Sequence, residues 1–300
     1  MQEEVNLNSG DPTGKQQFNP NVVRFQDFMK KFYRNKSALI GGILILALII
    51  VALVGPYFTP YAPNTQNYSN LLAPPSVEHL FGTDHHGRDI FSRIIHGMSI
   101  TLRVGFTSVF IGMTVGVTLG VISGYYGKWV DTIIMRFMDV LLAFPGILLA
   151  LAVVAVLGGS LNNVIISVAI FSVPVFARIS RGSTLEVREL EYVEAVRSLG
   201  ASDFRIIIRH VLPNIMSPII VQATLNIATS VLTASGLSFL GMGAQPPDPE
   251  WGAMLNDGRN YMWNAPHITM IPGIAIVIVV LSFNVFGDGL RDALDPKSRN

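Results

Sequence analysis

The stretch Glu186–Asn214, EVRELEYVEAVRSLGASDFRIIIRHVLPN, reads as two short helices broken at a glycine. In the first, Tyr192, Val193, Val196 and Leu199 recur at helical spacing, with Arg188, Glu191, Glu194 and Arg197 on the other side. Gly200 stands where a helix ends in a left-handed cap, a conformation glycine adopts without steric cost. Ser202 or Asp203 then N-caps a second helix with an apolar stripe of Phe204, Ile207, Ile208 and Val211, stopped by Pro213. This polar hairpin interrupts a chain otherwise built for lipid, so it is the expected docking place of a soluble partner.

Working outward, the composition is that of an integral membrane protein. Half of the 300 residues are hydrophobic and 14% are charged, against about a quarter charged in soluble domains. Mean hydropathy is +0.47. A net charge of +1 without a basic, aromatic-rich patch gives no sign of nucleic-acid binding. The absence of cysteine excludes disulfides, thiolate metal sites and a cysteine nucleophile.

Apolar runs place six spans at about 37–58, 99–124, 132–157, 161–180, 215–240 and 268–288, each near the 20 residues a bilayer needs. The fold class is an all-α membrane protein. Residues 1–21 read as a mobile tail, and Gly10–Lys15 fails as a phosphate loop for want of a residue, a Ser/Thr and a preceding strand. Residues 22–36 set Phe25, Phe28, Met29 and Phe32 on one face among basic residues. That is either an interfacial helix or a basic flank of the first span. With the N-terminus inside, all of the 21 basic residues except Arg88, Arg93, Arg103 and Arg259 fall in inner segments. The asymmetry obeys the positive-inside rule and makes both termini, the 181–214 loop and the 291–300 tail cytosolic.

Within the spans, Gly112, Gly116, Gly120 and Gly124 repeat at every fourth position, the pattern of close helix packing. Their partner helix is not legible. Arg136 and Asp139 share a face and are able to pair near the cytosolic edge; Pro145 follows them, and Pro174 is expected to kink the fourth span. In the fifth span Asn226, Thr229, Ser230 and Thr233 form a polar stripe that either bonds neighbouring helices or lines a hydrated path. Apart from Arg103, no unpaired charge lies in mid-membrane, which argues against an ion-driven secondary carrier and for an external energy source.

Between the first two spans, Asp84, His85, His86 and His96 invite a metal reading. Adjacent histidines do not share a helix face and no HExxH spacing is present. A salt-bridged segment with Asp84, Arg88 and Asp89 as members is the stronger reading. The last outer loop, 241–267, is Pro- and Trp-rich, and Trp251 and Trp263 suit the membrane interface.

Several of these motifs resemble those of membrane subunits of ABC importers. Glu194-Ala195-Val196, Gly200 and Leu212-Pro213 resemble the "EAA" loop, with Val196 replacing a third alanine and His210 pointing to the peptide-importer subgroup. Gly82-Thr83-Asp84, Gly87-Arg88-Asp89 and Ser92-Arg93 match the segment G-T-D-x-x-G-R-D-x-x-S-R of peptide permeases, although Ser99 stands where that subgroup often has arginine. Gly287–Pro296 resembles the ends of these permeases, and AFPGILLA (143–150) and EWGAML (250–255) look like the glutathione-importer subgroup.

The resemblance covers about residues 24–296. It implies the type I importer permease fold and a bacterial cytoplasmic-membrane location. It makes Glu194, Ala195, Arg197, Leu199, Gly200, Ala201, Leu212 and Pro213 the ATPase-coupling residues and Asp84, Arg88, Asp89 and Arg93 an external segment. It further implies a sister permease, two ABC ATPases that carry ATP and Mg²⁺, an extracytoplasmic binding protein and a peptide cargo. The chain itself is then a non-catalytic subunit without a cofactor of its own. A nickel or metal-chelate importer is the nearest alternative; a secondary carrier or a metalloenzyme is more distant.

Overall fold

A computed structural model describes residue 29 and residues 32–294. The expected tail 1–21, most of the 22–36 helix and residues 295–300 lie outside the described residues. Five helical stretches are long and apolar enough to cross a membrane. These are α1 (Lys36–Val54, extended by a tight turn, Gly55–Phe58), α2 (Ile90–Tyr126), α5 (Leu161–Arg188), α7 (Asp203–Phe239) and α9 (His267–Leu294). Shorter helices are α3 (Lys128–Leu142), α4 (Gly146–Leu157), α6 (Glu191–Ser198) and α8 (Trp251–Gly258).

The expected third span, 132–157, is not a straight crossing. Its two halves, α3 and α4, meet at 91°. Pro145 has no N–H to donate and disfavours the helical conformation at Phe144, so the ladder breaks there. It restarts with Leu148 and Leu149 both donating to the Pro145 carbonyl. At 12 residues, α4 spans about 18 Å, well short of a bilayer core of about 30 Å. The count of six spans holds only with this bent pair taken as one.

Two helices run far past their expected ends. α2 begins at Ile90 instead of 99, because the Asp89 carboxylate accepts the Ser92 N–H at 2.8 Å and caps it. α7 joins the second hairpin helix to the fifth span, so Pro213 does not stop it. The turn Ile207–Val211 widens to π geometry, with Leu212 N–H reaching the Ile207 carbonyl five residues back. That extra residue takes up the missing donor and the ring clash of Pro213. α5 likewise continues through Pro174.

The glycine line resolves into an intramolecular contact between α2 and α5. A Cβ at Gly112 would lie 2.7 Å from Ser172 Cβ, at Gly116 2.5 Å from the Val173 carbonyl, and at Gly124 2.8 Å from the Arg181 carbonyl. Beside this contact, Arg181 of α5 binds Asp131 of α3 through Nε and Nη2 at 2.5 and 2.6 Å, and Ser123 of α2 donates to the same carboxylate. Asp139 pairs with a residue of another helix and not with Arg136. It accepts from Arg178 of α5 at 2.6 Å, because α3 turns that face toward α5 and not along itself.

The main core joins α1, α2, α7, α8 and α9, with Phe176 of α5 and Val193 of α6 added to it. Trp251, expected at the interface, is fully buried in it and donates from Nε1 to the Ile94 carbonyl at 3.1 Å. Trp263 is 88% exposed and keeps the interfacial character.

Candidate functional site

The hairpin is built on the ends of α2 and α5. Arg188, at the end of α5, donates to the carbonyls of Gly124 and Tyr125 at 2.7 and 3.2 Å and closes the free C-terminus of α2. Gly200 has φ +84°, and a Cβ added there would meet nothing within 4 Å, so its demand for glycine is conformational, not steric.

The two hairpin helices hold to the bundle through fewer residues than their sequence pattern implies. Val193, Ile206 and Val211 are buried, and Val196 and Ala201 pack against the core. Leu199 and Phe204, expected on the apolar stripe, are 87% and 75% exposed, and Ile208 is exposed too. Leu199 is the cap residue just beyond the two-turn α6, and the base of the hairpin is filled by Val193, Ile206 and Val211, which leaves Leu199, Phe204 and Ile208 on the outer side.

Polar contacts complete the joint. Tyr125 donates its hydroxyl to Asp203 at 2.7 Å, and the Arg197 guanidinium lies 5.4 Å from the Tyr125 ring centroid. Asn214 bridges the Tyr192 hydroxyl and the His210 carbonyl at 3.1 and 2.6 Å. Among the expected coupling residues, Glu194, Ala195, Leu199, Gly200 and Pro213 are exposed, Arg197 is exposed above Tyr125, and Ala201 and Leu212 turn partly inward. Sequence reasoning missed the Tyr125–Asp203 tie because its members stand 78 residues apart. The outcome is a hairpin anchored at its base that presents an apolar ridge with an acidic shoulder.

At the opposite end, segment 59–89 carries a buried ionic latch. Asp84 accepts from Arg88 Nε at 2.6 Å and from the backbone N–H groups of His86 and Arg88. Arg93 Nε lies 3.8 Å from the same carboxylate, and Arg88 reaches Asp257 of α8 at 3.6 Å. Arg93 also donates to the carbonyls of Pro63 and Pro247, which ties α2 to the loop before α8. Asp89 caps α2 with one oxygen and meets His79 Nδ1 at 2.9 Å with the other.

The histidines considered for metal are spread over other contacts: His85 stacks on Tyr261, and His96 Nδ1 meets the Ser92 carbonyl. Burial, then the neighbouring His86, holds the His85 imidazole below its ordinary value. Ser99 donates to the His96 carbonyl, so its position makes only a local bond. Glu250 caps α8 through Ala253 N–H at 2.8 Å, and burial pushes its carboxyl above the usual range.

The polar stripe of α7 divides. Asn226 and Ser230 are buried, while Thr229 is exposed and Thr233 half-buried. Gln222 donates to Asn226 Oδ1 at 3.4 Å, and Asn226 Nδ2 is buried without a partner.

Residues 116–300 match the family described as the binding-protein-dependent transport system inner membrane component, and residues 24–75 match the N-terminal TM domain of oligopeptide transport permease C. The glutathione transport system permease protein GsiD of Pectobacterium atrosepticum is 51% identical over 92% of both chains. The protein of that name from Escherichia coli is 52% identical over 93% of both. Among solved structures, the inward-facing MetNI methionine ABC transporter superposes with a TM-score of 0.55. It covers 69% of this chain and 98% of its own at 21% identity, a likeness of fold alone.

Proposed function

Because the chain belongs to the family of binding-protein-dependent transport inner membrane components, a non-catalytic permease class that works with ATPase and binding-protein partners, we propose that it forms one half of the pathway of a peptide importer. The cargo class is a short peptide such as glutathione, supported by the identity to permeases named for glutathione transport. The other half is a non-identical sister permease. Both termini and the hairpin face the cytosol, as the basic residues direct.

The hairpin carries this reading. Val193, Ile206 and Val211 fasten its base while Leu199, Phe204 and Ile208 stand exposed beside Glu194. That is the surface an ATPase cleft would grip. The joint of Tyr125, Asp203 and Arg197 links it to the end of α2, and α7 is one helix of 37 residues from hairpin to far end. Motion of the hairpin would pass as a rigid displacement along about 55 Å of helix. ATP and Mg²⁺ belong to the partner ATPases, and this chain takes none. Thr229 and Thr233 are the more exposed members of the α7 stripe and would face the path between the two permeases.

The test is uptake of labelled glutathione, a dipeptide and nickel in cells carrying or lacking the chain, its partners left intact. Loss of peptide uptake alone supports the proposal. Loss of nickel uptake alone would replace the cargo assignment. In the same cells, Glu194→Lys is expected to abolish uptake while the protein still reaches the membrane, and normal uptake would remove the hairpin from coupling.

A further inference from the structure

A cavity of about 630 Å³ opens at the hairpin end between α5, α7 and α9, within the range of small-molecule sites. Its floor is α7, on which both α5 and α9 pack. Glu186 on α5 and Arg291 on α9 both line it. Each is exposed and, among the described residues, neither forms an ion pair. Between them α7 contributes Asn214, Ser217, Gln222 and, at the apolar end, Leu225. Gln222 then leads by its hydrogen bond to Asn226, whose buried amide nitrogen has no partner, and on to Thr229 and Thr233 at helical spacing.

We propose that this cavity is a product site for the zwitterionic backbone of a di- or tripeptide leaving toward the hairpin side. The assignment rests on the peptide-importer reading and deepens it. A free peptide carries an ammonium and a carboxylate separated by a few extended residues, at most about 3.5 Å each. Glu186 pairs with the ammonium and Arg291 with the carboxylate, the latter as a planar two-donor fork. The amide and hydroxyl groups of α7 meet the peptide bonds, and the apolar wall accepts side chains of varied shape. Recognition by termini fits a cargo whose side chains differ. Both charges are hydrated, so binding there is weak and release is not impeded.

The absence of cysteine from the chain supplies a probe that needs no transport. Ser217→Cys, in the complete complex in inside-out vesicles, is alkylated with N-ethylmaleimide and followed by the mass of this chain. Millimolar alanyl-leucine or S-methylglutathione is expected to slow alkylation several-fold, and N-acetyl-alanyl-leucinamide to have no effect. Glu186→Gln and Arg291→Gln are each expected to remove the protection. No protection by either free peptide, or equal protection by the capped one, would overturn the site. Leu225→Cys serves in the same way should Ser217→Cys fail to assemble. Uptake by right-side-out vesicles is read separately. Protection without uptake retains the cavity site and removes the importer reading; uptake without protection does the reverse.

Discussion

At Asp84 one carboxylate serves two guanidinium groups that are themselves almost wholly buried, Arg88 at 2.6 Å and Arg93 at 3.8 Å. Asp84→Asn keeps the shape and removes the charge, leaving the buried Arg93 without its carboxylate and Arg88 with Asp257 alone, at a cost of about 3–5 kcal/mol. A clear drop in the melting temperature of the purified complex is expected, with Asp257→Asn, on a more exposed partner, costing less. Gly200 makes a different demand: with open space around it, Gly200→Ala pays only for its positive φ, about 1–2 kcal/mol. Gly200→Asn, which tolerates that region better, should retain more uptake than alanine. Two titratable groups at the end opposite the hairpin, Glu250 and His85, act in opposite directions. Glu250 is raised in the fold, so its contribution is full below 4.5 and is lost as pH rises through the raised value. His85 is lowered, so its contribution is full above 6.5 and is lost as pH falls through the depressed value. Melting temperature measured against pH should therefore decline less toward alkaline pH in Glu250→Gln, and less toward acid pH in His85→Phe.

Among the helices, the α2–α5 seam depends on missing side chains. Gly120→Val would force the backbones apart at Ala177 and Ser180, overpacking that costs about 1–3 kcal/mol or more. Reduced accumulation in the membrane is expected, measured by immunoblot against a control such as Gly182→Ala, where an added Cβ meets nothing within 4 Å and the backbone is ordinary helix. The two aspartates of α3 should separate clearly. Asp131 joins three helices through Ser123 and Arg181, whereas Asp139 makes one exposed pair with Arg178, worth about 0.2–1 kcal/mol. Asp131→Asn is expected to lower the melting temperature well beyond Asp139→Asn. Equal effects would mean that α3 is not held to the bundle by this clamp. The glycine period was plain in the sequence. Its partner was not, because α5 lies some 60 residues further on and signals its matching face only through Ala169, Ser172, Ala177 and Ser180.

Across the whole molecule, α7 joins the hairpin end to the far end, and the latch of Asp84, Arg88 and Arg93 fastens that far end to α2 and the loop before α8. A chain of this build has no energy source of its own, so uptake should cease on ATP depletion with ion gradients maintained. Its persistence would point to a secondary carrier. Much of this was determined by the sequence alone. Apolar run length marks membrane helices because in lipid a single segment satisfies its backbone groups only by bonding within itself as a helix. Gly200 announced its left-handed turn because few residues accept one, and Asp84, Arg88 and Asp89 announced a salt-bridged segment by their charges. Only the tertiary structure decided the rest. It turned Leu199, Phe204 and Ile208 outward, carried α7 through Pro213, bent the third span by 91° at Pro145 and buried Trp251. It also set Glu186 and Arg291 on one cavity. The reason is physical: composition and local sterics act over a few residues and can be read in order. Which face of a short hairpin helix is covered, the angle between two helix halves after a break and the meeting of charges on separate helices depend on which distant surfaces pack together.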